Sequence, residues 1–242
     1  KNLNVPRIGP ALDADDTPRR DRLVVEYNTS TNPTFEGAVR DTSGRGLDGV
    51  FYGGASYDAT GKALVFDGTD DYIDRELPSE FTGDPTITIS MWIKPTSLPS
   101  ASGGFDTYIH LGQNSSDDQL QLTYYGYDQS YLQIGGYNQS VQTQNPNALP
   151  LGQWTHVCAV VTPGAWSTTN KKLYINGQIY PTVLSGSGTS SIPSASETSR
   201  LVICAVKSTG SGYAHHADAK LSSIKLYDTA LTAEEVKTLY DM

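Results

Sequence analysis

The chain reads as an all-β protein: two antiparallel sheets packed as a jelly-roll sandwich, with one short C-terminal helix. Three features predict this. Residues 86–94 alternate, with Ile87, Ile89, Met91 and Ile93 on one side and Thr88, Ser90 and Trp92 on the other, which is the period of a strand. Asn176-Gly177 separates two extended runs, 173–175 and 178–180, and this dipeptide readily takes the left-handed angles of a two-residue hairpin. Helical character is confined to residues 233–240, where Thr232 and Glu235 form a capping box and Leu231 and Val236 a hydrophobic staple.

The elements follow in order. Residues 1–22 hold Pro6, Pro10, Pro18 and a mixed charge cluster, and read as a linker or arm. Residues 23–242 read as one domain. Its first strand is 23–27, with Leu23, Val25 and Tyr27 on one face. Residues 41–49 are rich in Gly and Asp and turn tightly twice. At 63–73 an apolar run enters a turn at Asp67-Gly68 and leaves at Tyr72-Ile73, with Asp67, Asp70 and Asp71 crowded into it. Crowded carboxylates repel unless a cation, backbone N–H groups or water offset them. A solvated acidic turn and a turn ordered by Ca²⁺ are both open. Pro95 ends the 86–94 strand. Residues 107–111, 120–124 and 131–134 form a meander, and 154–162, apolar on both faces, is an interior strand. Residues 185–199 are a Ser/Gly-rich loop, and 201–206 and 221–227 are the last strands. The helix plugs one end of the sandwich.

Composition narrows the function. The 242 residues suit one large all-β domain with a real core. A formal charge of −9 and a pI near 4.8 argue against nucleic acid and anionic membranes as partners. No apolar run approaches membrane-spanning length. Charged residues are only 18%, with abundant Gly, Ser, Thr and Tyr, in the manner of an extracellular or particle-surface protein. The chain begins at Lys1, as expected of a piece of a longer, multidomain protein. Cys158 and Cys204 sit in apolar runs and read as buried thiols.

Several blocks, in order, resemble the laminin-G-like branch of the concanavalin A-like lectin/glucanase superfamily. They are Asp41-Thr-Ser-Gly-Arg-Gly-Leu-Asp-Gly49, the 61–72 block ending Phe-Asp-Gly-Thr-Asp-Asp-Tyr, the 86–95 strand, Trp154-Thr-His-Val, Leu173-Tyr-Ile-Asn-Gly177 and the 224–236 block. The resemblance implies a jelly roll, and a glycan lying across or beside one sheet in those members that act on sugars. It does not fix function, because this fold hosts lectins, adhesion modules, hydrolases and lyases. It also implies a structural Ca²⁺ held by Asp41, the carbonyls around Gly44 and Gly46, and Asp48. Ser222 and Ser223 stand where relatives often carry a further acid. In style the chain is also similar to domains on virions of large algal viruses, although no single residue carries that likeness.

Carbohydrate chemistry has two sets of candidates. Tyr124, Tyr125, Tyr127, Tyr131 and Tyr137 cluster in one region, and Trp166 sits in a loop where exposure is expected. Aromatic rings take the C–H faces of sugars and phenols bond their hydroxyls. No strand carries the alternating carboxylates that glycoside hydrolysis uses. Three fragments are similar to alginate-type polysaccharide lyases: Arg75-Glu-Leu77, Tyr108-Ile-His110 and Leu132-Gln-Ile-Gly-Gly-Tyr-Asn-Gln139. That likeness implies Tyr137 as acid/base, His110 as its partner, and Arg75 and Gln133 holding a uronate carboxylate. The expected function is binding, with degradation, of cell-wall polysaccharide in a concave groove; the alternative is a non-catalytic lectin or adhesion module for surface glycans.

Overall fold

The computed structural model describes residues 17–99, 104–113, 119–126, 131–136, 138–186, 199–210 and 212–242. They form a two-sheet antiparallel sandwich with one helix, Ala233–Asp241. The first sheet runs, in spatial order, Gln178–Ile179, Lys171–Ile175, Thr155–Val161, Ile87–Pro95, Asp218–Tyr227, Ala63–Asp67 and Ser56–Asp58, with Leu23–Tyr27 also paired to Asp218–Tyr227. The second runs Thr182–Gly186, Gln139–Thr143, Tyr131–Gly136, Gln119–Tyr125, Phe105–Gly112, Arg200–Ile203, Tyr72–Glu76, Gly49–Tyr52, Ala38–Val39 and Thr34–Phe35. A separate small hairpin pairs Val206–Lys207 with Tyr213–Ala214.

Alternation decides what each strand buries. Ile87, Ile89, Met91 and Ile93 enter the core between the sheets, where they meet Leu122, Leu132 and Ile134 from the other layer. Thr155–Val161 is buried along its whole length because it lies between two strands and is covered on both faces. Asn176 and Gly177 take φ of 51° and 75° and close the hairpin between Lys171–Ile175 and Gln178–Ile179.

The helix lies elsewhere than expected. It covers the outer face of the first sheet rather than plugging an end. Val236 and Leu239 join Leu23, Cys158, Val160, Tyr174 and Tyr227 in a second core beneath it. Trp92 stacks on Tyr240 with ring centroids 5.6 Å apart, so the far side of the 87–95 strand is buried as well. Among the described residues, that cover leaves the outward face of the second sheet as the broad face open to a ligand. Cys158 and Cys204 are both free and buried. No helix among the described residues is long and apolar enough to cross a membrane.

Candidate functional site

The outward face of the second sheet carries a groove of about 680 Å³. On Gln119–Tyr125 the leucines 120 and 122 point inward, so positions 119, 121 and 125 point outward and line the groove. Cross-strand register extends this polar surface. Gln121 opposes Gly135, which opposes Ser140, which opposes Ser185; Thr123 opposes Gln133, which opposes Gln142. The result is a floor of amides and hydroxyls. One end is aromatic: Tyr125 opposes Phe105 with rings at 4.6 Å, and Tyr131 is its partner on the other side.

His215 completes that end. Its ring meets Phe105 edge-on at 5.0 Å, and its carbonyl accepts the Thr107 N–H. Burial, and secondarily His216, hold its pKa below the ordinary histidine value, so it is neutral at pH 7. Among the described residues that line the groove, none is charged at neutral pH.

His110 shares this side of the sheet with its cross-strand partner Gln121 but is covered and does not line the groove. It is fully buried, with the Val206–Lys207 limb of the small hairpin over it. Its Nδ1 accepts the Lys207 N–H at 3.4 Å, which places the ring proton on Nε2, donated to Gln119 Oε1 at 3.4 Å. Gln119, which lines the groove, is left with its NH₂ to offer a ligand. Burial depresses the His110 pKa to about 4.

The lyase residues do not converge. Arg75 shares a row with Leu201 and Leu111, on the inward side of the sheet, and its guanidinium donates to the Glu76 carbonyl. His110 is sealed beneath the hairpin, whereas Gln133 lines the groove. Tyr137 and Tyr127 lie outside the described residues. Of the other aromatics, Tyr125 lines the groove and Tyr131 shares its face. Tyr124 corrects the expectation: it is a core residue with no exposure, on the opposite side of its strand from Tyr125. Trp166 is also buried, because Lys171 folds its ammonium over the ring at 5.3 Å and anchors it on the carbonyls of Thr162 and Gly164.

The 41–49 loop is knitted by its own acids. Asp41 Oδ1 accepts N–H groups of Glu26 and Ser43, both at 2.9 Å. Its Oδ2 accepts the Ser43 hydroxyl at 2.7 Å and the Leu47 N–H at 2.8 Å, while Asp48 Oδ1 accepts the Asp41 N–H at 2.7 Å. Gly44 and Gly46, with φ of 94° and 71°, supply the two tight turns. Ca²⁺ requires six to eight oxygens facing inward. Here hydrogen-bond donors converge on the carboxylate instead, so this residue set as folded does not fit the ion. In the other acidic turn, carboxylate oxygens of Asp67, Asp70 and Asp71 lie within 4.8 Å of one another. Asp71, the buried one, accepts N–H groups from Gly54 and Asp67. Asp106, facing inward, is raised to about 7 by burial and by Asp218; it is not a groove residue.

Sequence reasoning missed Gln119, Gln121, Gln142, Ser140, Phe105 and His215. The signal was present: glutamines at alternate positions of an exposed strand face. Tyrosines drew attention because aromatic clusters are rarer than polar ones.

A jelly-roll sandwich with a polar groove on one sheet, its described lining uncharged, is the class that this fold and groove define. The family model of the concanavalin A-like lectin/glucanases superfamily matches residues 67–237, and the chain belongs to that superfamily. Among solved structures it is similar to domain 4 of AbnA, a GH43 extracellular arabinanase from Geobacillus stearothermophilus in complex with arabinotriose, at 21% identity and TM-score 0.62, covering 90% of this chain and 98% of that one. It is also similar to Trypanosoma rangeli sialidase (17%, TM-score 0.62, 97% of this chain, 36% of that one) and to the botulinum neurotoxin serotype D binding domain (14%, TM-score 0.60, 92% and 52%). It thus spans about a third of the one and half of the other. No curated protein sequence matches it. At these identities the likenesses show the fold.

Proposed function

We propose that this protein binds a neutral polysaccharide in the groove of the second sheet and does not cleave it. The observation that carries this is the lining: amides, hydroxyls and an aromatic end, with no charged side chain among the described residues. Amides both donate and accept, as sugar hydroxyls do, and rings such as Tyr125 take the C–H face of a pyranose or furanose. Anionic glycans need cations to hold them, and hydrolysis needs two carboxylates beside the bond. Neither is among the described lining residues; Arg75 shares the inward side of its sheet with Leu201, and His110 is buried beneath the small hairpin. A place outside the cell, as one module of a longer chain, fits this reading. It is supported by the likeness to one domain of an extracellular arabinanase.

The test uses the full chain against linear arabinan, xylan, mannan and β-glucan, with alginate as the anionic comparison. Arabinan heads the panel because arabinotriose occupies the arabinanase domain. Binding is read by affinity electrophoresis, and cleavage by reducing ends and by ultraviolet absorbance of unsaturated sugars. Binding to a neutral polymer without products is expected. Products from any polymer, or retention by alginate alone, overturn the proposal.

A further inference from the structure

Across the small hairpin from the groove, the same sheet face carries a second aromatic surface. Tyr52 and Tyr72 are direct cross-strand partners, with ring centroids 4.8 Å apart and planes within 6°. Tyr213, from the hairpin, stacks on the other side of Tyr72 at 4.2 Å. Three tyrosines thus stand as a row, with Tyr52 outermost and 42% exposed beside Val50, itself 47% exposed. Rings held by one another are rigid, so a ligand that meets them loses little side-chain freedom of theirs.

Charge describes what would fit. Lys207 caps the Tyr213 ring at 5.2 Å, and its ammonium donates to the carbonyls of Ser208 and Gly210. Arg200 is held in a fork by Asp74, with Nε–Oδ1 3.0 Å and Nη2–Oδ2 2.5 Å. Both cations already have partners, so the row offers phenol edges, the exposed Tyr52 ring and an adjacent valine without a free cation, and the exposed Asp70 carboxylate beside Tyr72 disfavours an anionic ligand.

The small hairpin links the two surfaces. Val206, on one limb of the hairpin, lines the groove, and Tyr213, on the other, completes the row. We propose that the tyrosine row is a second contact zone for the same neutral glycan, so that the face takes an extended polymer across the hairpin, with a sugar ring on Tyr52. This rests on the glycan reading of the groove. It adds that the ligand is the interior of a long chain rather than a short terminal unit.

The test measures the affinity of the wild-type chain, Tyr52→Ala and Tyr52→Leu for arabinan, xylan, mannan and β-glucan, each as polymer and as trisaccharide. Leucine keeps bulk on the exposed strand but has no flat face. Expected is a wild type that binds polymer more tightly than trisaccharide. Both variants then lose about tenfold in polymer affinity while trisaccharide affinity holds within about twofold. Unchanged polymer affinity in both variants overturns the second zone and leaves the groove standing. A wild type that self-associates through this surface, with Tyr52→Ala breaking the dimer, assigns the row to a second copy and overturns it too. A wild type that binds no polymer and no trisaccharide removes the groove reading itself, and this inference with it.

Discussion

Removing His110 tests whether the polar residue beneath the groove serves structure rather than chemistry. Its imidazole is fully buried and neutral, with its pKa at about 4 against 6.5 when free. The gap corresponds to about 3 kcal/mol. The sign follows from which state takes the proton. Between pH 6.5 and about 4 the unfolded chain binds a proton that the native chain refuses, so stability present above 6.5 is lost as pH falls through that window. His156, also fully buried and held at about 3, acts in the same direction. Asp106, raised to about 7, acts in the opposite one, because the native chain binds its proton first as pH falls from about 7 towards 3.8. These two contributions are common to wild type and variant and cancel in the difference. His110→Ala costs about 2–4 kcal/mol at neutral pH, from the cavity and from the Lys207 N–H and Gln119 Oε1 left without a partner. That is a fall of roughly 5–15 °C in Tm for a chain of this size. The variant then loses about 3 kcal/mol less than wild type between neutral pH and about pH 4. Urea unfolding followed by circular dichroism at both pH values reads both quantities. Equal acid losses in the two proteins would refute the buried neutral imidazole.

Three further outcomes follow from side-chain placement. Asp41→Asn removes an acceptor from a carboxylate that takes four hydrogen bonds, costing about 1–3 kcal/mol, and the loss is the same in calcium as in chelator; a loss confined to calcium-containing buffer would make the loop a metal site. Trp166→Ala opens the core and removes the ring beneath the Lys171 ammonium, costing about 3–5 kcal/mol by denaturant midpoint with no change in glycan affinity; weakened binding with stability intact would return Trp166 to the ligand surface. Thr232→Ala removes the side-chain half of the capping box, Glu235 N–H to Thr232 Oγ1 at 3.2 Å, and leaves the backbone N–H of residue 232 to Glu235 Oε2 at 2.7 Å in place. It lowers stability by about 1 kcal/mol, and an unchanged urea midpoint would contradict the cap.

The fold was legible where local physics determines it. The alternation over 86–94, the Asn176-Gly177 turn and the Thr232 cap each act within a few residues, and each is found where the pattern puts it. The helix was misplaced because its docking surface is long-range. Nothing in the run from Thr88 to Trp92 says that a segment 141 residues on will pack against it, as the Thr88 hydroxyl bonded to the Thr229 carbonyl shows. Tyr124 and Tyr125 illustrate the same limit at the site. Adjacent strand residues must part, but which of them faces the core depends on the partner sheet. Trp166 was misjudged because a loop position says nothing about a lysine folding back over it. The groove depends on register across five strands, from Phe105–Gly112 to Thr182–Gly186, and register is a tertiary fact. Read one strand at a time, Gln121, Gln133 and Gln142 are ordinary solvent-facing residues.

The most direct test titrates the neutral polymer that binds wild type best into Gln133→Ala/Gln142→Ala by calorimetry. These two amides are cross-strand neighbours on the groove floor. If the floor holds the sugar, losing both weakens binding about tenfold or more while the unfolding midpoint stays within about 1 kcal/mol of wild type. Undiminished binding by a folded double variant would contradict the account.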